Sequence, residues 1–252
     1  MAVFITGASS GLGAALARQY AAQGHVLGLL ARRGERLKEL VATLPGTHHL
    51  YVVDVCDRQA LHAAAEDFIQ KVARVDIVIA SAGISAGTLT EQKDDFEVFK
   101  AIFETNVMAT VATFEPFVPL MKQARAGTLV GIASVAGVRG LPGAGAYSAS
   151  KSAVTTYCES LRLELKPFGV GVVTIAPGYI KTEMTAKNPY SMPFLLEAEV
   201  FAARAARAIA QEKSYTVIPW QMSVVGKIMR ALPNWLYDRL AVNAPRKPRQ
   251  NS

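Results

Sequence analysis

The stretch Val3-Phe4-Ile5-Thr6-Gly7-Ala8-Ser9-Ser10-Gly11-Leu12-Gly13 decides the fold. It opens on a short apolar run, breaks into a glycine-rich turn, and passes into Ala14 to Gln23, which reads as a helix stopped by Gly24. His25 to Leu30 is again a short apolar strand, so the whole is a βαβ unit of about thirty residues. Gly7 suits the positive φ of a tight turn. Gly11, with no side chain, lets the backbone approach a diphosphate, and Gly13 lets the helix lie close to the strand. Ser9, Ser10 and Leu12 complete the turn, whose exposed N–H groups at the start of the helix would hold a phosphate. A purely structural βα turn is the alternative, but strand, turn, helix and second strand together point to a dinucleotide.

The end of the second strand is the next position to read, because an acidic residue there would hold the adenosine 2′-hydroxyl of NAD. This chain has Leu30-Ala31-Arg32-Arg33 and no carboxylate. An Asp would repel a 2′-phosphate, whereas Ala31 followed by Arg32 removes the repulsion and supplies a bidentate donor. NADP(H) is therefore expected over NAD(H), with Arg32 as main contact and Arg33 as second. The alternative is two solvated arginines at a strand end.

Further along, Leu50 to Val55 reads as a third strand ending at Asp54, with a helix from Ala60 to Val72 and a fourth strand at Ile77-Val78-Ile79-Ala80. One long helix is expected from about Phe96 to Leu120, carrying Asn106, whose side chain could hold a bulge or a bound water. Thr128 to Ala133 is a fifth strand, and Ser134 ends it; sites in open parallel sheets collect at such carboxyl ends. Thirteen residues on, across a glycine-rich loop, Ala146-Tyr147-Ser148-Ala149-Ser150-Lys151 places a phenol and an ammonium one helical turn apart. A neighbouring cation favours the ionised phenol, which fits Tyr147 to exchange a proton near neutral pH. Gly171 to Ala176 is a sixth strand and Tyr215 to Pro219 a last one.

The order T-G-x-x-x-G-x-G, then Asn106, Ser134, Tyr147 and Lys151, resembles the short-chain dehydrogenase/reductase family over roughly the first 185 residues. It is distinct from the G-x-G-x-x-G of ordinary Rossmann dehydrogenases. The resemblance implies a single Rossmann-like, doubly wound parallel α/β sheet of about seven strands, of the NADP-preferring type. It implies that Tyr147 protonates the substrate oxygen, or deprotonates the alcohol in reverse, and that Lys151 lowers the phenol's pKa and binds the nicotinamide ribose. Ser134 would donate to the developing oxyanion, and Asn106 would hold a water linking Lys151 to solvent. Asp54-Val55 resembles the pair beside the adenine. Ser81-Ala82-Gly83 stands where the family usually has Asn-Ala-Gly, which puts one strand-stabilising contact in question. Pro177-Gly178, Ile180 and Thr182 resemble the segment against the nicotinamide carboxamide. An NADP(H)-dependent oxidoreductase of a carbonyl/alcohol pair is the leading reading; a non-catalytic NADP(H)-binding sensor or scaffold of the same fold is the alternative.

Composition bounds the rest. With 252 residues, 51% hydrophobic and 19% charged, the chain is globular with ample core material. The net charge of +7 invites a nucleic-acid reading, but the basic residues are scattered and no aromatics interleave them, so none is expected. Cys56 and Cys158 lack the spacing of a disulfide framework or metal site, and both read as buried thiols. No metal is expected, and no His, Ser or carboxylate constellation competes with Tyr147. The N-terminus enters a strand without a basic n-region and no apolar run reaches spanning length, so the expected compartment is the cytoplasm.

The catalytic and cofactor-binding domain should run over 1–219. Within it Glu183 to Ala198, extending to about 210, is the expected substrate lid: Met184, Met192, Phe194 and Leu195 give it an apolar lining, and Asn188-Pro189 and Met192-Pro193 an irregular backbone. The remainder, 220–252, reads as a helical extension broken by Pro233, with a basic tail Arg246-Lys247-Pro248-Arg249. Three readings stay open for it: a helix packed over the pocket, a dimer or tetramer contact, or an amphipathic anchor on anionic lipid.

Overall fold

The computed structural model describes residues 1–186, 188 and 190–249; Pro189, of the expected irregular pair, lies outside them. The described residues form a parallel sheet of seven strands. These are β1 (Ala2–Thr6), β2 (Val26–Ala31), β3 (His49–Val52), β4 (Ile77–Ala80), β5 (Thr128–Ile132), β6 (Gly171–Pro177) and β9 (Tyr215–Ile218), in the order β3-β2-β1-β4-β5-β6-β9. The small pair β7 (Ile180–Lys181) and β8 (Leu196–Glu197) stands apart. Strand order reverses between β1 and β4, and at such a switch point the carboxyl ends of the strands open a crevice.

Strand side chains alternate between two buried faces. Val3, Ile5, Leu27 and Leu29 pack on α1 (Gly11–Ala22), α2 (Gly34–Ala42) and α9 (Ala198–Ala210). The other face of the sheet, with Ala2, Phe4, Leu30 and Val78, meets α3 (Arg58–Val72), α5 (Ala109–Phe114), α6 (Val118–Ala124) and α7 (Gly145–Leu165). Phe4 centres an aromatic cluster, its ring 5.6 Å from Phe68 and 5.1 Å from Phe117; truncating such a residue to Ala costs about 3–5 kcal/mol. Small residues let α1 and α9 approach closely: Ala14, Ala17 and Ala21 on one, Ala202, Ala205 and Ala206 on the other, are all buried.

Three expectations are modified. The long helix is instead α4 (Asp95–Phe103), a π-helical turn (Glu104–Met108), α5 and α6. The π-helical turn surrounds Asn106, whose side chain is bonded outside the helix, so the break has a local cause. The third strand stops at Val52, because Asp54 turns the chain with its carboxylate accepting from Cys56 N at 3.0 Å. Cys56 is consequently exposed, against the buried thiol expected; Cys158 is buried, and both are free.

Within the segment expected as lid, α8 (Glu183–Ala186) leads toward β8, whereas Ala198–Ala210 is α9, with Phe201 fully buried in the core. The extension forms α10 (Trp220–Ala231) and α11 (Asn234–Ala241), separated at Pro233. No helix among the described residues is long and apolar enough to cross a membrane.

Candidate active site

The glycine turn has the geometry its sequence demands. Gly7 takes φ +67° and packs so closely on Ala82 that a Cβ would lie 2.7 Å from its Cα. A Cβ on Gly13 would lie 2.3 Å from Gly7 O, so only glycine lets the helix begin this near the strand. Ser10, the N-cap of α1, makes no side-chain cap, which leaves first-turn N–H groups directed at the crevice.

That crevice is a cavity of about 390 Å³ along the carboxyl ends of the strands. Gly7, Ser9, Ser10, Gly11, Leu12 and Gly13 line one wall and Arg32, Arg33 and Val55 one end. Ala82 and Gly83 line the middle, with Pro177, Gly178, Ile180 and Thr182 facing them, and Ser134, Tyr147 and Lys151 lie at the far end. Asp54 and Asn106 stand outside the lining. Asp54 reaches the site through Arg32, whose Nη1 lies 3.4 Å from its carboxylate.

Sequence reasoning missed Ile84, Thr105 and Thr185, which also line the cavity together with Met184, expected in the lid. Ile84 follows β4, Thr105 sits in the π-helical turn and Thr185 in α8, and no local pattern in the chain specifies that they meet. Ser81 lines it too, with its hydroxyl buried and unpartnered among the described residues. The contact put in question by Ser81 is made from the other side: Thr6 Oγ1 accepts from Ser81 N at 3.2 Å and Ala82 N at 3.4 Å, tying β1 to the end of β4.

The two arginines have different neighbours. Arg33 donates to the hydroxyls of Ser9 and Ser10 in the glycine turn and to Glu183 at 3.2 Å, a carboxylate that Arg36 also engages. Arg33 is thus the one directed over the turn, while Arg32 faces Asp54. These pairs are exposed, so each is worth under about 1 kcal/mol and can exchange for a phosphate.

At the other end, Ser134 lies two residues past β5 and its Oγ accepts from Ala136 N at 3.1 Å, which orients the hydroxyl. Burial raises the Tyr147 phenol above its usual value, and a hydrogen bond with Ser134 pulls it the other way. Lys151 is only 5% exposed; its Nζ lies 5.8 Å from the Tyr147 ring centroid and donates to Ile132 O at 2.8 Å. Desolvation lowers this ammonium to about 8, so it can shed or take a proton near neutral pH.

Asn106, fully buried, accepts from Ile84 N at 2.8 Å and donates to Ile84 O and Ser150 Oγ, each at 3.0 Å. Its side chain is committed to holding the loop after β4 against α7. Gly83 sits between the two, since a Cβ there would lie 3.2 Å from Asn106 Oδ1 and 3.5 Å from Lys151 Nζ. The residues present fit a dinucleotide: a cradle that side chains would fill, free helix N–H groups, an unpartnered buried hydroxyl and guanidinium groups at one end.

The model of the short chain dehydrogenase family matches residues 1–192. An uncharacterized oxidoreductase of Myxococcus xanthus is 37% identical over 240 residues, covering 94% of each chain. A 3-ketodihydrosphingosine reductase of Bacteroides thetaiotaomicron is 35% identical over 184 residues, 73% of this chain and 65% of that one. Among solved structures, a short-chain dehydrogenase from Sphingobium yanoikuyae in complex with NADPH superposes with a TM-score of 0.77 at 27% identity, covering 92% of this chain and 96% of that one. On a match that spans most of its length, this chain belongs to the short chain dehydrogenase family of oxidoreductases.

Proposed function

We propose that the protein interconverts a carbonyl and a secondary alcohol with NADP(H), using Tyr147 as the proton donor and acceptor. The observation that carries this reading is the single cavity with Arg32 and Arg33 at one end and Ser134, Tyr147 and Lys151 at the other. Bound NADPH would supply a hydride to the carbonyl carbon. Tyr147 gives its phenolic proton to the substrate oxygen. Ser134 donates to the same oxygen as negative charge gathers there. Lys151 stabilises the phenolate left behind and, its own affinity for protons lowered by burial, passes a proton on. Asn106 holds the loop at Ile84 that forms the wall between them.

The glycine turn and the first turn of α1 take the diphosphate, Val55 the adenine side, and Pro177, Gly178, Ile180 and Thr182 the nicotinamide end. The 2′-phosphate is received by Arg33 over Ser9 and Ser10, with Arg32 beside it; absence of a carboxylate at Ala31 supports NADP(H). Met184 in the cavity wall supports an apolar substrate. The exposed thiol of Cys56 supports a reducing, cytoplasmic setting.

Of the three readings of the extension, packing over the site is favoured. Arg139, in the loop between Ser134 and Tyr147, donates to Met229 O at 2.6 Å and Leu232 O at 2.7 Å, and Tyr237 donates to Gly140 O at 2.6 Å. Oxidation of NADPH measured against a carbonyl panel tests the function. Turnover that disappears in Tyr147→Phe supports it; tight NADPH binding with no turnover of any carbonyl or alcohol returns the non-catalytic reading.

A further inference from the structure

Beyond α11 the chain doubles back, and its tail is fastened in two places. Gly87 N donates to Pro248 O at 2.9 Å, and Gly87 and Arg249 form a parallel β-bridge. Arg249 grips both carboxylate oxygens of Asp95 at 2.9 and 3.0 Å, and Asp95, only 2% exposed, also accepts from Leu89 N. Thr88 N donates to Gly143 O at 2.9 Å, joining the loop after β4 to the loop that follows Ser134. The tail is therefore built into the walls around Tyr147.

Immediately before these fastenings stands Lys247. Its Nζ lies 5.8 Å from the centroid of the Tyr147 ring, as Lys151 Nζ does, yet only Lys151 borders the cofactor cavity. Lys247 thus approaches the phenol from outside the cofactor's space. Among the described residues its one hydrogen bond is to Ser85 Oγ at 2.8 Å, which uses one of three donors, and it pairs with no carboxylate. A half-buried ammonium without a counter-charge is costly, and a bound anion would remove that cost. Burial alone lowers it to about 8, which leaves it charged at pH 7.

Taking the reductase reading as its basis, we propose that Lys247 is a specificity-determining residue that receives an anionic group of the substrate, carboxylate or phosphoryl, while the carbonyl lies against Tyr147. Ser85 holds the ammonium in place, and the Arg249–Asp95 clamp holds the tail. With Met184 in the cavity wall, the substrate class becomes a carbonyl compound with an anionic head and apolar remainder.

The test has two arms on the full-length protein. In the first, NADPH oxidation is followed with straight-chain oxo acids against their methyl esters, and with dihydroxyacetone phosphate against dihydroxyacetone. The wild type should favour one anion type by tenfold or more in kcat/KM, and the preferred pair identifies carboxylate or phosphate. The ratio should fall to near one in Lys247→Met and in Lys247→Gln, which can retain the Ser85 bond, and survive in Lys247→Arg. In the second arm, unreactive alkyl carboxylates and alkyl phosphates are titrated calorimetrically with NADP present, and binding should weaken at least tenfold in Lys247→Met.

An equal rate on anionic and neutral ketones in the wild type, or a preference untouched by Lys247→Met and Lys247→Gln, overturns the anion site while leaving the reductase. Lys247-dependent anion binding without turnover of any carbonyl overturns the reductase and keeps the anion site.

Discussion

Lys151 Nζ donates to Ile132 O at 2.8 Å, so the turn of α7 that carries Tyr147 is tied to the end of β5, two residues before Ser134. One ammonium therefore fixes the separation of the proposed acid and the proposed oxyanion donor. It does so while nearly devoid of water, and that sets its protonation.

A first consequence concerns stability. Folding lowers Lys151 from its usual 10.5 to about 8, so between those values the folded protein binds fewer protons than the unfolded chain. Unfolding free energy should then rise with pH from about 8 upward, by up to about 3 kcal/mol across the whole interval. Lys247, lowered to about 8 as well, acts in the same window. Urea unfolding at pH 7.5 and 9.5 should show the rise in the wild type, a smaller one in Lys151→Met and the smallest in the double variant with Lys247→Met. An identical slope in all three would show that neither lysine is desolvated.

Tyr147→Phe removes the proton donor and keeps the ring that packs in the site. Loss of general acid catalysis typically costs about 10²–10⁴-fold, so kcat/KM for reduction should fall by that factor. NADPH affinity, read by fluorescence titration, should change by less than about threefold, under 1 kcal/mol. Activity within tenfold of wild type would assign the proton to another group.

The cofactor preference separates the two arginines. Arg33→Ala releases Ser9, Ser10 and Glu183 at once, so NADPH should weaken about ten- to a hundredfold with NADH little altered, the loss of one charge-assisted contact of about 1.5–3 kcal/mol. Arg32→Ala, with Asp54 as its present partner, should act in the same direction and less. Equal losses for both cofactors in both variants would remove the 2′-phosphate from this end of the cavity.

These contrasts also mark what the chain disclosed before its structure. The βαβ unit was legible because strand, glycine turn and helix follow one another in sequence and Gly13 packs on Gly7 and Ala8 nearby, whereas the approach of Gly7 to Ala82 and of Gly11 to Thr182 was not. The Tyr147/Lys151 pair was legible because helical spacing is local too. Which arginine lies over the glycine turn was not, since that depends on Glu183, 150 residues away, and on how the glycine-turn serines are held. Asn106 is similar: its π-helical turn and its bonds to Ile84 and Ser150 join segments 22 and 44 residues apart. Lys247 was read only as part of a basic tail, because nothing in Arg246-Lys247-Pro248-Arg249 reveals that the chain returns to Tyr147.

Gly13→Ala should be among the most damaging small changes in the molecule. Every atom the added Cβ would strike, Gly7 O at 2.3 Å first, is backbone and cannot rotate away. Overpacking of this sort costs about 1–3 kcal/mol, and the displaced helix start should lower NADPH affinity in parallel. Gly140→Ala, where a Cβ meets nothing within 4 Å, is the matched control and should leave both melting temperature and affinity nearly unchanged. Equal behaviour of the two variants would show that α1 can shift without harming the site.

Arg139 ties the C-terminal extension to the loop between Ser134 and Tyr147, the proposed oxyanion donor and proton donor. It donates to Met229 O, Leu232 O and Asn234 Oδ1 and lies 3.9 Å over the Tyr237 ring. It belongs to the loop that separates Ser134 from Tyr147, so the end of α10 and the start of α11 brace that loop. Arg139→Ala leaves two helix-end carbonyls without this donor and should cost about 1–3 kcal/mol of stability. Because the brace acts on loop position, kcat should fall while NADPH affinity, set at the other end of the cavity, holds. Arg139→Lys keeps the charge but cannot span three acceptors with one planar group, so it should restore only part of the rate. A variant with wild-type kcat and a lowered melting temperature would confine the extension to a structural role.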